Sequence, residues 1–223
     1  MIKLNSYIIR ILLKINILVT FIILSINLVH GQSKFQPSFY FGINQGVNFS
    51  KVYFDPSINQ NFLRGYSGGL VFQYISEPHF GIQMELNYTQ KGWTEQLQSP
   101  NSYTRKLSYI EVPFLAHAQL GGGNSKLTID MGPFISNLLS QNEKTNITDE
   151  TLKQPYFNKK IDRNFGYGVC VGIGFMEKTS IGIFEIGCRY NHNLSYIFNT
   201  DFAYMSMSQN QVFSISLKYL VKL

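Results

Sequence analysis

Between Phe80 and Lys91 the chain alternates strictly. Phe80, Ile82, Met84, Leu86 and Tyr88 fall on one side, and Gly81, Gln83, Glu85, Asn87, Thr89 and Lys91 on the other. A β-strand, whose successive side chains point to opposite faces, turns that pattern into one apolar and one polar face. The same period of two recurs seven more times. Phe39, Phe41, Ile43, Val47 and Phe49 alternate with Tyr40, Gly42, Asn44, Gly46, Asn48 and Ser50, and Tyr66, Leu70, Phe72 and Tyr74 with Ser67, Gly69 and Gln73. Ile110, Val112, Phe114, Ala116 and Ala118 oppose Tyr109, Glu111, His117 and Gln119; Leu127, Ile129, Met131 and Ile135 oppose Lys126, Thr128, Asp130 and Ser136. Phe165, Tyr167, Val169, Val171, Ile173 and Phe175 oppose Gly166, Gly168, Cys170, Gly172 and Gly174. Between Ile181 and Asn191 the pattern is looser, with Phe184, Ile186 and Tyr190 against Glu185, Arg189 and Asn191. The last segment sets Phe213, Ile215, Leu217, Tyr219, Val221 and Leu223 against Ser214, Ser216, Lys218 and Lys222. Eight strands are expected.

The connections select the architecture. Ser76-Glu77-Pro78-His79, Gly121-Gly122-Gly123-Asn124 and Glu177-Lys178-Thr179 are short stretches of turn chemistry. Between them lie longer polar stretches: Lys51 to Gly65, Gly92 to Lys106, Asn137 to Arg163 and His192 to Gln209. Short and long alternate throughout, which in an up-and-down meander gathers every long loop at one end. Outer-membrane barrels have that polarity, with short periplasmic turns and long external loops.

A soluble lipocalin-like carrier also has eight alternating strands, but with its apolar face inside. Composition argues for the reverse. Only 14% of residues are charged against 15% aromatic, whereas soluble domains carry about a quarter charged. The polar faces hold Gly, Ser, Asn and Gln with isolated charges, and the apolar faces hold bulky Phe, Tyr, Ile and Val. Small and polar inside with bulky outside is the membrane arrangement. The fold class expected is all-β: an eight-stranded antiparallel up-and-down transmembrane β-barrel. Tyr66, Tyr74, Tyr88, Trp93, Tyr103, Tyr190, Tyr196 and Tyr219 near strand ends suit interfacial girdles, with Tyr40 an exception whose phase points inward.

Lys3, Arg10 and Lys14 precede an apolar run from Ile15 to Val29, followed by Gly31 and polar Gln32-Ser33-Lys34. This is the order of a secretory signal peptide; a membrane anchor over Ile8 to Val29 is the alternative. Residues 1–31 are expected to be the signal and 32–223 the barrel domain. Cleavage after Gly31 lowers the formal charge from +6 to +3, with no concentrated basic face for nucleic acid. Cys170 and Cys188 fall on opposite faces of neighbouring strands and are expected to be free thiols, since a bridge needs side chains pointing the same way.

The candidate site is a set of charges on the inward faces: Glu85, Lys91, Glu111, Asp130, Glu185 and Arg189. An eight-stranded barrel is just wide enough inside to be filled by side chains, and charges buried there must pair. The expected role is a structural plug, with Arg189 and Lys91 bridging carboxylates of neighbouring strands and Arg189 taking Glu85, Glu111 or both. A proton path or gated narrow pore is the alternative. His192 and Ser195, with Asp201 nearby, are the only candidates for a lipid-modifying enzyme, and they lack an orienting acid of fixed direction and an oxyanion site. His79 and His117 show no metal-ligand spacing. The glycines from Gly166 to Gly174 alternate within a strand and precede no helix, so they do not cradle phosphate. They are read as room for larger side chains such as Arg189, Tyr109 or Phe134. No catalytic residue, metal or cofactor is expected.

Two segments carry a resemblance. Gln83-Met84-Glu85-Leu86-Asn87-Tyr88-Thr89-Gln90-Lys91-Gly92, followed by Tyr109-Ile110-Glu111-Val112-Pro113-Phe114-Leu115, resembles the PorT-like outer-membrane β-barrel family of Bacteroidota. Gly132-Pro133-Phe134 and Arg189-Tyr190-Asn191 fall where that family carries similar segments, and the likeness spans the mature chain. Asn193-Leu194 stands where the family often has Gly-Leu, and the chain ends in Leu223 rather than an aromatic residue. The resemblance implies a Gram-negative outer membrane of Bacteroidota type and, by analogy with the namesake branch, a role in secretion. The longest polar stretch mixes Lys144, Lys153, Lys159, Lys160 and Arg163 with Glu143, Asp149, Glu150 and Asp162. Such a flexible loop suits contact with a partner or surface glycolipid. Outer-membrane lipid and other outer-membrane or secretion-system proteins are the expected partners, and the function expected is non-enzymatic.

Overall fold

A computed structural model describes residues 35–98, 100–148, 150–199 and 206–223. The expected signal peptide, Asp149 and Asp201 lie outside the described residues. Nine strands follow in order: β1 Ser38–Asp55, β2 Gln60–Asn61, β3 Leu63–Ile75, β4 Phe80–Glu95, β5 Ser102–Leu120, β6 Ser125–Asn146, β7 Phe165–Thr179, β8 Gly182–Asn193 and β9 Met207–Lys222. The eight long strands pair antiparallel with their sequence neighbours, and β1 closes the ring on β9. β2 adds two residues to the outer end of β4, pairing Gln60 with Glu95 and Asn61 with Thr94. The eight-stranded up-and-down barrel is therefore the fold, with β2 as an extra rung drawn from an expected loop.

Residues directly opposite each other in a ladder share a face, so the alternation of one strand is handed on around the ring. Asn87 faces Glu111, His117 faces Asp130, and Glu185 faces Lys218. The polar set is buried inside: Lys91 is 0% exposed and Glu85 1%. The apolar set faces out, with Phe80 at 59% and Ile173 at 60% exposure. This is the inverse of a soluble lipocalin-like carrier, and that alternative is set aside.

The strands run further than the apolar alternation does. β1 continues to Asp55, β4 to Glu95, β6 to Asn146 and β8 to Asn193, all inside stretches expected to be loop. Boundaries placed where the apolar face ends come too early, because a ladder rising above the lipid has water on its outer face and needs no apolar residues there. Ser102 to Ser108 pair residue by residue with Asn146 to Ser140. At the opposite end, Glu177, Lys178 and Thr179 complete β7, and the turn falls on residues 180–181. A register shift at Ser108/Tyr109 marks a β-bulge against β6. It reverses the phase of β6: Phe134 and Ser136 point inward below it, Gln141 above it, while Ser140, Asn142 and Lys144 face out.

Along β4 the outward apolar residues run from Phe80 to Tyr88, a rise of about 20 Å along the barrel axis at ordinary strand rise and tilt. Gln90 and Thr94 follow on that face. The apolar band thus ends near Tyr88, and the outer third of the longest strands stands above it.

Candidate functional site

The lumen is filled in layers. At the end with the short turns, Val71, Met176, Ile183 and Leu220 pack with Tyr40. Next comes a charge layer. The Arg189 guanidinium on β8 donates two hydrogen bonds to Glu85 on β4, at 2.7 and 2.6 Å, and lies 3.7 Å from Asp130. Lys218 on β9 donates to Asp130 at 3.0 Å and Glu185 at 2.9 Å. Glu85 also accepts from the Gln83 and Asn87 amides, at 2.6 and 2.7 Å. His117 Nδ1 is 2.6 Å from Asp130, and its Nε2 is 3.1 Å from Gln73. Nearer the external end, Lys91 donates to Glu111 at 2.8 Å and to Asn193 at 3.2 Å, and Asn191 donates to Glu111 at 2.8 Å. The Lys91 ammonium also lies 4.5 Å from the centre of the Tyr109 ring.

These contacts tie opposite walls together. β4 and β8 are four places apart in the ring, and the Arg189–Glu85 pair spans that diameter. The expectation that Arg189 bridges neighbouring strands is corrected: Arg189 takes Glu85 across the lumen, and Glu111 goes to Lys91. The reason is length: from the inward face of β8 the long Arg189 side chain reaches the far wall. Gly172 beside it does not create that room, since a Cβ there would lie 3.5 Å from Arg189 Cβ, an ordinary contact. Gly168 does make room, for Phe134, since a Cβ there would lie 2.6 Å from the Phe134 ring and 2.2 Å from the His192 carbonyl. Tyr109, the third side chain expected to use such room, is not among the near neighbours of these glycines.

Of the six charges, Glu85, Asp130, Glu185 and Arg189 meet in one cluster, joined by Lys218, and Lys91 with Glu111 forms a second. Lys218 and His117 complete the arrangement. Both carry the inward parity of their strands, and that parity was the signal that could have placed them in the set.

Above the charges sits an aromatic lid. Phe54, Trp93 and Tyr103 from the strands meet Tyr156, Phe157, Ile161, Ile197 and Phe198 from the loops. Tyr103 stacks on Phe157 at 3.8 Å, and Phe54 meets Trp93 edge-on at 5.2 Å. Trp93 and Tyr103, both 0% exposed, are therefore lumen residues and not part of an interfacial girdle, because they share the inward phase of Lys91 and Tyr109. Arg105 fastens the lid: it donates to the Tyr156 carbonyl at 3.3 Å, to Gln141 at 2.9 Å and to the Lys159 carbonyl. Glu95 accepts from Trp93 Nε1 at 3.1 Å and from the Tyr156 hydroxyl at 2.8 Å. Burial, with the Glu95 charge beside it, pushes the Tyr156 hydroxyl far above the ordinary phenol range, which keeps it a donor. The longest connection, expected to be a flexible mixed-charge loop, is folded inward through Tyr156, Phe157 and Ile161.

His192 and Ser195 do not form a catalytic pair. His192 faces outward beside Tyr190, and the Ser195 hydroxyl is engaged with the Tyr167 backbone at 3.1 Å. Cys170 is buried in the lumen and Cys188 lies on the outer face, both as free thiols.

Comparison with known proteins places the chain. The model of the "Outer membrane protein beta-barrel domain" family matches residues 31–199. The chain belongs to that family. It is an outer-membrane β-barrel protein, and the Gram-negative outer membrane is its location. Among curated proteins none matches it. Similar solved structures include OprG from Pseudomonas aeruginosa, 10% identical over 82% of this chain and 95% of that one, with a TM-score of 0.49. Ail, the attachment invasion locus protein of Yersinia pestis, is 13% identical over 82% of this chain and 98% of its own, with a TM-score of 0.42. The outer membrane protease OmpT from Escherichia coli is 8% identical over 84% and 96%, with a TM-score of 0.38.

Proposed function

We propose that this barrel is a non-enzymatic interaction protein of the outer membrane that works from its external surface rather than through its lumen. The observation that carries the reading is the double closure of the interior: Arg189–Glu85 spans it, the adjacent-strand pair Lys91–Glu111 is tied across it to Asn193 and Asn191, and the lid of Trp93, Tyr103, Tyr156 and Phe198 covers both layers. A solute would have to break buried ion pairs and then displace stacked rings. Acting externally leaves the exposed parts of the four long connections and the outer wall as contact surfaces.

Within that reading the chain is a PorT-like protein of Bacteroidota type, exported by a signal over residues 1–31 and serving a secretion-linked assembly. The resemblance over Gln83–Gly92 and Tyr109–Leu115 supports this branch. The test is co-purification of the tagged barrel from membranes. A defined partner is expected to persist with Lys91→Met/Glu111→Gln and to be lost when the exposed Lys153 and neighbouring loop residues 150–154 are replaced by Gly and Ser. Retention in both variants would move the partner surface elsewhere, and recovery of no partner from any preparation would refute the reading.

A further inference from the structure

The outer wall above the apolar band carries a groove that neither the lumen nor the lid explains. It crosses β4, β5 and β6, encloses about 650 Å³, and lies on the outward face of the barrel. Leu63 of β3 also lines it, and its middle rung pairs Lys106 with Gly92 on one side and with Asn142 on the other. Gly92 has φ +147°, and a Cβ there would lie 2.0 Å from the Arg105 carbonyl, so this rung presents no side chain from β4. The upper wall is the row Thr94–Thr104–Lys144. The lower wall is polar too: the Tyr88 hydroxyl donates to Ser108 at 2.9 Å, and Gln90 donates to Tyr88 at 3.2 Å. The β-bulge at Ser108/Tyr109 is what turns Asn142 and Lys144 to this face.

Three observations identify the occupant. The first is height. From Tyr88, at the edge of the apolar band, to Thr94 is a rise of about 15 Å along the axis, so the groove begins where lipid headgroups begin. The second is charge. Lys106 and Lys144 line the groove without an ion-pair partner among the described residues, and the carboxylates of β4, β5 and β6 all point to the lumen or lid. The third is the rest of the lining, made of hydroxyls and amides from Thr104, Ser108, Ser140 and Asn142. Ammonium groups suit phosphate, and a wall of hydroxyls and amides suits sugar.

We infer that this groove binds the phosphorylated sugar headgroup of an outer-leaflet glycolipid, with Lys106 and Lys144 on the phosphates. The inference rests on the outer-membrane placement of the barrel and not on the partner reading above. It also places the glycolipid contact on the strand wall rather than on the longest loop.

The experiment uses the full barrel in phosphatidylcholine nanodiscs, titrated with diphosphoryl lipid A and read by native mass spectrometry. Wild type is expected to retain lipid A, K106R/K144R to retain it equally, and K106E/K144E to bind about ten-fold more weakly or worse. Lipid A stripped of phosphate is expected to bind wild type as weakly as K106E/K144E binds the intact lipid. K144E alone, whose side chain is exposed, serves if the double variant fails to show the heat-dependent gel mobility of a folded barrel. Equal retention by wild type and the charge-reversed variants would overturn the inference. So would equal binding of the phosphate-free lipid, or displacement by phosphatidylglycerol or inorganic phosphate at matched phosphate, which would make the groove a plain charge patch.

Discussion

Replacing Arg189 with Met tests the lumen arrangement at its centre. Arg189 gives Glu85 two hydrogen bonds at 2.7 and 2.6 Å, and its side chain is 12% exposed against 1% for Glu85. After Arg189→Met, Glu85 keeps the Gln83 and Asn87 amides and Lys218 at 4.0 Å. Lys218 is already shared between Asp130 and Glu185. Glu85 then remains in a buried interior without a cation of its own. Breaking one partner from a buried pair costs about 3–5 kcal/mol, and for a domain of this size each kcal/mol moves the midpoint by about 2–4 °C. The expected fall in unfolding temperature is therefore roughly 6–20 °C. The readout is the heat-dependent gel mobility of the membrane-inserted barrel, together with fluorescence of Trp93, the single tryptophan of the chain. Adding Glu85→Gln removes the orphaned charge, so the double variant should recover a large share of the loss, giving a coupling of about 2 kcal/mol or more. An unchanged midpoint in Arg189→Met, or no recovery in the double variant, would refute the claim that these two walls are held by this pair.

Two further substitutions follow from the same geometry. Arg105→Ala removes the side chain that holds the Tyr156 and Lys159 carbonyls. Charged hydrogen bonds are worth about 1.5–3 kcal/mol each, so lysine-specific cleavage at Lys153, Lys159 and Lys160 in intact membranes should accelerate by about ten-fold or more, and iodide should quench Trp93 more readily. Gly168→Ala forces a methyl against the His192 carbonyl and the Phe134 ring; overpacking of this kind should lower stability by about 1–3 kcal/mol in urea unfolding from vesicles.

The fold was legible because alternation and turn chemistry are both local. Phe80–Lys91 declares its two faces without reference to any other strand, and the order of short and long connections declares the meander. Inward parity likewise placed all six candidate charges in the lumen. Which charge meets which was not legible. That depends on the stagger between strands, which decides that Arg189 looks across at Glu85 while Lys91 takes Glu111 on the adjacent strand. Lys218 carried the right parity, but beside Ser214, Ser216 and Lys222 nothing local singled it out.

The lid was hidden for a different reason. Trp93 and Tyr103 have the parity of Lys91 and Tyr109, yet their place near strand ends looked like an interfacial girdle. Tyr156, Phe157, Ile197 and Phe198 lie in connections with no period at all, so nothing local says whether they face water or fold back. Strand ends were misplaced for a related reason: from Asn137 to Asn146 the backbone ladder persists after the apolar face has ended.

Ion conductance of the purified barrel in planar lipid bilayers tests the closure of the lumen most directly. Wild type should show no stable conductance above the bare membrane, because buried ion pairs and the aromatic lid both obstruct the path. Steady, reproducible conductance from wild type, altered by neutralising Glu111 or Arg189, would contradict the account and make the barrel a narrow pore.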